Sequence, residues 1–168
     1  RTVISAAGNL NHEEFVKQVE DKFTNLPTDT KYNKKAASYH GGEHRMSKDL
    51  EQTHVILGFR GLSRVDEDYH VAQTLSTLLG GGMSSRLFQE VREKRGLVYT
   101  IYSFHSGLSD DGQFGIYAGT GPKDLEELVP VVCDEVLKVT QNVNEAETER
   151  AKAQLKASML IGRESMSS

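Results

Sequence analysis

Two β-rich runs, Leu97 to His105 and Gln113 to Gly119, flank the tetrapeptide Ser109-Asp110-Asp111-Gly112, and no other feature restricts the fold as strongly. The tetrapeptide has turn chemistry: Asp side chains bond their own backbone, and Gly accepts the conformations that close a reversal. Strands joined this way run antiparallel, because a parallel pair needs a crossover of about a dozen residues or more. Alternation places Val98, Tyr102 and Phe104 on one face of the first run and Leu97, Tyr99 and Ile101 on the other. A further β-rich run, Glu51 to Phe59, reads as an inner strand.

Around the hairpin the periodicity is helical. Asn11 caps a helix with Glu14 completing a capping box, and Phe15, Val16, Val19 and Phe23 follow on one stripe that ends near Thr24. Asp66 to Leu79 carries Tyr69, Ala72, Leu75 and Leu79 on one face, until Gly80-Gly81-Gly82 interrupts it. A helix from Ser84 or Ser85 groups Leu87, Phe88 and Val91 and stops at Gly96, where glycine suits the left-handed C-terminal position. Gly121-Pro122 opens another with proline first, its stripe being Leu125, Val129, Val132, Val136 and Val139. Pro130 inside it predicts a kink, at a cost of about 3 kcal/mol if the helix does not bend. Cys133 in the same stretch reads as a small core residue. Asn144 and Glu147 form a second capping box and start a last helix. Together these predict an α+β fold, a largely antiparallel sheet with helices packed on one face.

The 168 residues, 37% apolar, contain no run that could span a membrane as a helix. Their 20 Lys and Arg are interleaved with 24 Asp and Glu, for a net charge of −4, which argues against nucleic acid as a partner. The single cysteine excludes an internal disulfide framework. Val3 to Gly8 is strand-like, and residues 25–38 form a polar linker with Pro27, Lys31, Lys34 and Lys35. Residues 1–24 are therefore expected to finish one domain and residues 39–168 to form a second, truncated at its C-terminal end, where the helical pattern is still running.

His40-Gly41-Gly42-Glu43-His44 matches the H-x-x-E-H string of the inverted zinc peptidases, in which two His bind zinc and Glu acts as base. Two His four apart meet at one ion only on a helix, and Gly41-Gly42 costs about 2 kcal/mol there relative to two alanines. In an extended segment the pair stands about 13 Å apart, too far for ligands about 2 Å from one ion. A linker precedes the string, and Glu43 to Ser47 alternates like the start of a strand. The string is thus expected to be a solvated turn with no metal. His54, inside a strand, is expected to be a packed or hydrogen-bonded core residue.

The stretch Leu79 to Tyr99, LGGGMSSRLFQEVREKRGLVY, carries more. A Gly-rich turn before a helix can cradle phosphate, but no lysine follows at the spacing of a nucleotide-binding P-loop. Arg92, Lys94 and Arg95 would by themselves be cations favoured at a helix C-terminus. The run closely resembles the second-half domain of the insulinase/pitrilysin family of zinc metallopeptidases, in the branch of bacterial processing proteases and the mitochondrial processing peptidase β subunit. The resemblance extends over essentially the whole chain. Val3 to Phe23 is similar to the strand and helix that close the family's first domain, and Gly41-Gly42-Glu43 with Leu50 to Phe59 to the start of its second.

That resemblance implies two α+β domains around a chamber, with the zinc ligands on the first domain, ahead of Arg1. Zinc is then a cofactor of the parent enzyme and not of this chain, and residues 40 to 44 are a decoy. It implies that Arg92 and Tyr99, seven positions apart, reach the substrate, Tyr99 donating to the scissile carbonyl and its oxyanion while Arg92 holds the peptide, with Gly80, Gly81 and Gly82 bordering the chamber. It also implies a peptide or presequence substrate, a catalytic domain as partner, a homodimeric or heterodimeric parent, and a cytoplasmic location, with the mitochondrial matrix as alternative. Two rivals stand beside this reading: a non-catalytic family subunit acting as scaffold, and a free-standing zinc hydrolase using residues 40 to 44.

Overall fold

The computed structural model describes residues 2–25 and 35–164. Its elements are α1 (His12–Lys22), β1 (Thr53–Gly61), α2 (Tyr69–Gly80), a π-helical turn (Phe88–Glu93), β2 (Val98–Gly107), β3 (Gly112–Thr120), α3 (Leu125–Val139) and α4 (Glu145–Glu164). The three strands form one antiparallel sheet in the order β1-β3-β2. The α+β class and the hairpin stand as read from the sequence. In the turn, the Asp111 carboxylate accepts the Gly112 N–H at 2.8 Å and the Asp111 carbonyl accepts the Leu108 N–H at 2.8 Å.

The core lies between one face of the sheet and the helical elements. Leu79, Leu87, Val91, Leu97, Val98, Ile101, Ile116, Ala118, Leu128 and Val132 form it, and a smaller cluster of Leu78, Val139 and Ala151 joins α2, α3 and α4. The opposite face is open: Ile56 is 62% and Tyr102 44% exposed, and Tyr102 stacks on Tyr117 with ring centroids 4.9 Å apart. No helix among the described residues is long and apolar enough to cross a membrane.

Several expectations need correction. β1 is an edge strand rather than an inner one, because β3 occupies the middle with neighbours on both sides. β3 tolerates that crowding through small residues: a Cβ at Gly115 would lie 2.2 Å from the Phe104 ring. The expected opening strand at Val3 to Gly8 is not formed, since a strand needs a partner's backbone and none lies beside it among the described residues. Instead Ile4, Ala6 and Leu10 line a groove with Phe15, Val16 and Val19 of α1. Pro122 stands in a turn ahead of α3, whose N-cap is Asp124. The helix runs through Pro130, on its exposed side, where the carbonyl left unpaired by the missing N–H can turn to water. Cys133 is exposed: Leu128, Val132 and Val139 take the buried face of α3, and the residue after Val132 is rotated about 100° away from it. Part of the expected linker, residues 26–34, lies outside the described residues.

Local signals at the helix ends hold. The Asn11 side chain accepts the N–H of Glu13 and of Glu14, at 3.0 and 3.2 Å. Asn144 and Glu147 exchange reciprocal bonds of 2.8 and 2.9 Å.

α2 presses its C-terminal end onto β2 at a glycine. A Cβ at Gly80 would stand 2.3 Å from the Ser103 nitrogen, and the Ser103 hydroxyl donates to the Ser76 carbonyl at 2.7 Å. An exposed helical Gly gains about 1 kcal/mol on replacement by Ala. Here the sign reverses: Gly80→Ala is expected to destabilise by about 1–3 kcal/mol in urea unfolding, because the methyl forces the helix off the sheet.

Candidate functional site

Gly80 to Tyr99 folds as a turn, a short helix and a strand start. The Gln89 side chain donates to the Met83 carbonyl at 2.7 Å and the Gln154 side chain to the Gly81 carbonyl at 2.6 Å, fixing the glycine turn from both sides. The helix then widens: the Lys94 N–H bonds the Gln89 carbonyl, five residues back, at 3.0 Å. One extra residue is thereby accommodated in the turn that carries Arg92. Gly96 closes the helix at φ +65°, its N–H on the Arg92 carbonyl at 3.0 Å, in the left-handed conformation the sequence called for.

The strand begins with a second irregularity. Val98 pairs with Thr120 and Thr100 with Gly119, so Tyr99 is an extra residue, a bulge. The bulge overturns the face assignment made by simple alternation. Val98, Ile101 and Ser103 point to the core, whereas Thr100 and Tyr102 are exposed, because one inserted residue switches the parity of everything after it. Tyr99 itself is 62% exposed.

Charge in this segment is sorted. Glu90 accepts from Lys94 Nζ and, at 2.8 Å, from Arg95 Nη1. Lys94 first, and Arg95 second, hold its carboxyl below the usual range. Arg92 has no carboxylate partner among the described residues; its guanidinium lies over the Phe88 ring, 4.8 Å from the centroid. The Arg92 and Tyr99 side chains do not hydrogen-bond each other, and both are exposed, on either side of the Gly96 turn. They present five guanidinium N–H donors and one phenol, suited to carbonyl and oxyanion oxygens.

Sequence reasoning missed the clamp that fixes this segment. Arg86 Nε donates to Glu147 Oε2 at 2.9 Å and Nη2 to Oε1 at 2.5 Å, while Nη1 and Nη2 reach the Asn142 side chain and carbonyl at 2.9 and 2.6 Å. The Glu147 hydrogen bond, opposed by burial, raises the Arg86 pKa further; Arg86, opposed likewise, lowers that of Glu147. The capping box pointed to Glu147 as a local cap, but nothing local in sequence shows that the same carboxylate meets an arginine 61 residues away.

Residues 35–50 contain neither helix nor strand, so His40 and His44 sit on exposed coil and the expected strand start at Glu43 to Ser47 is absent. The preceding backbone is strapped to the hairpin turn: the Tyr39 N–H donates to Asp111 Oδ2 at 2.9 Å and the Tyr39 hydroxyl to the Gly58 carbonyl at 2.7 Å. His54 shares a 2.7 Å hydrogen bond with the Tyr117 hydroxyl, but on the exposed sheet face rather than in the core. Among the described residues no three His, Cys, Asp or Glu side chains stand together as a metal cage. The two His of the string lack both a helix to converge them and a third ligand, so they do not fit a zinc ion.

The family model described as "Peptidase M16 inactive domain" matches residues 1–155. A protein of Rickettsia felis named as an uncharacterized zinc protease is 44% identical over 162 residues, covering 96% of this chain and 39% of that protein. One of Bacillus subtilis with a similar name is 37% identical over 170 residues, covering 100% and 41%. The chain thus spans about two fifths of the length of these relatives. Among solved structures, a peptidase M16 inactive domain from Pseudomonas fluorescens is 33% identical at a TM-score of 0.60, covering 65% of this chain and 27% of that one. A protease from Helicobacter pylori shares the fold at a TM-score of 0.71 and 24% identity, covering 95% and 41%.

Proposed function

The chain belongs to the peptidase M16 family, as its inactive domain, and from that membership we propose that it is the substrate-binding part of a zinc metalloendopeptidase that hydrolyses peptides or presequences. The zinc ion implied by the relatives' names is held outside this chain, on a catalytic domain for which residues 39–168 supply the facing wall. The parent is a homodimer or heterodimer, located in the cytoplasm.

One observation carries the reading: a π-helical turn holds Arg92 and a β-bulge holds Tyr99. Each irregularity disturbs regular pairing locally, and each re-aims a side chain; such features concentrate at functional sites. In this reading Arg92 holds the peptide backbone through its N–H donors. Tyr99 donates its phenolic proton in a hydrogen bond to the scissile carbonyl, tightening as the oxygen gains negative charge. Gly80, Gly81 and Gly82 border the chamber, Gly80 also allowing the close approach of α2 to β2.

A scaffold subunit needs neither donor. Peptide hydrolysis by the full-length protein with Arg92→Ala and with Tyr99→Phe separates the two readings, since a scaffold role leaves both variants as competent as the parent in assembly and has no turnover to lose.

A further inference from the structure

Of the three cations at the end of the π-helical turn, two are paired with a carboxylate and one is not. Lys94 and Arg95 both fold back on Glu90, and Arg92 is left with an aromatic ring as its neighbour. The ring belongs to Phe88, four residues earlier, so the two side chains share a helix face. Phe88 is half-buried beside the fully buried Leu87 and Val91. Its ring face is turned to the guanidinium.

A guanidinium held over a ring face keeps N–H donors free, because the attraction is to the ring's negative face and uses no acceptor atom. A carboxylate in the same place would occupy two of those donors and neutralise the charge. An aromatic support therefore restricts a long, four-torsion side chain without consuming what it has to offer a ligand. Resting on the reading of Arg92 given above, we infer that Phe88 is a positioning residue for substrate binding: it holds the Arg92 guanidinium in the orientation that meets the peptide backbone.

The test is steady-state peptide hydrolysis by the full-length protein carrying Phe88→Leu, Phe88→Met, Phe88→Tyr and Arg92→Ala, with each Phe88 variant also made in the Arg92→Ala background. Leu and Met keep apolar volume at residue 88 without a ring face; Tyr keeps the face. At the strength of an exposed cation–π contact, KM is expected to rise about three- to fivefold in the Leu and Met variants, with kcat within about twofold. Phe88→Tyr should match the parent, and in the Arg92→Ala background the Phe88 variants should add nothing further. If Arg92→Ala raises KM and the Leu and Met variants do not, the positioning role is overturned while the reading of Arg92 stands. An equal rise in both backgrounds overturns it as well, since that marks general packing. If Arg92→Ala leaves KM unchanged, both fall together.

Discussion

Tyr99→Phe in the full-length protein is expected to lower kcat for peptide hydrolysis about a hundredfold while the folded state is retained. The side chain is exposed and its hydroxyl has no partner among the described residues, so deleting the oxygen leaves no buried group unsatisfied. Stability should therefore stay within about 0.5 kcal/mol of the parent. The loss falls on kcat because a hydrogen bond to a developing oxyanion is stronger in the transition state than in the ground state. Removal of one such donor costs on the order of 10²–10³ in rate. Steady-state kinetics beside a thermal melt give both numbers. A variant with normal turnover removes Tyr99 from the chemistry and leaves the bulge without its assigned purpose.

Glu147→Ala is expected to be the most destabilising of the substitutions considered, by about 3–5 kcal/mol in urea unfolding. The Arg86 and Glu147 side chains are only 15% and 10% exposed, so removing the carboxylate strands a nearly buried guanidinium. It also removes the bond to the Asn144 N–H that starts α4. Glu147→Gln, which keeps the size but not the charge, should lose less. pH gives an independent check. Arg86 lowers the folded-state carboxyl of Glu147 below its unfolded value of about 4.3. Its contribution is present above that unfolded value and is lost as pH falls through the folded one. The parent should therefore lose stability below about pH 4 more steeply than Glu147→Gln. Parallel curves for the two would contradict the clamp.

The parts of this fold that sequence made legible are those governed by neighbours in the chain. The caps at Asn11 and Asn144, the left-handed stop at Gly96 and the turn at Asp111-Gly112 each depend on bonds within a few residues, and each is found where residue types predict it. What escaped depends on distant pairing or on a single inserted residue. The edge position of β1 follows from which strand β3 pairs with on its second side. The bulge at Tyr99 and the widened turn at Arg92 add one residue each to otherwise regular patterns, and periodicity has no means of placing them. Cys133 went wrong because an apolar stretch was taken as apolar on every side, whereas α3 buries only one face. At the candidate site, the family resemblance and not the residue types alone singled out Arg92 and Tyr99; Phe88 and Arg86, which contact that segment, became visible only through contacts in space.

The central claim is a division of labour: this chain grips the peptide, and the metal cage lies elsewhere in the parent. The direct measurement is zinc content, together with peptide cleavage, of the full-length protein carrying His40→Ala and His44→Ala. The account predicts metal per chain and turnover equal to those of the unaltered protein, because both residues stand on exposed coil and belong to no cluster of three metal-ligating side chains among the described residues. Loss of the ion together with activity would contradict it.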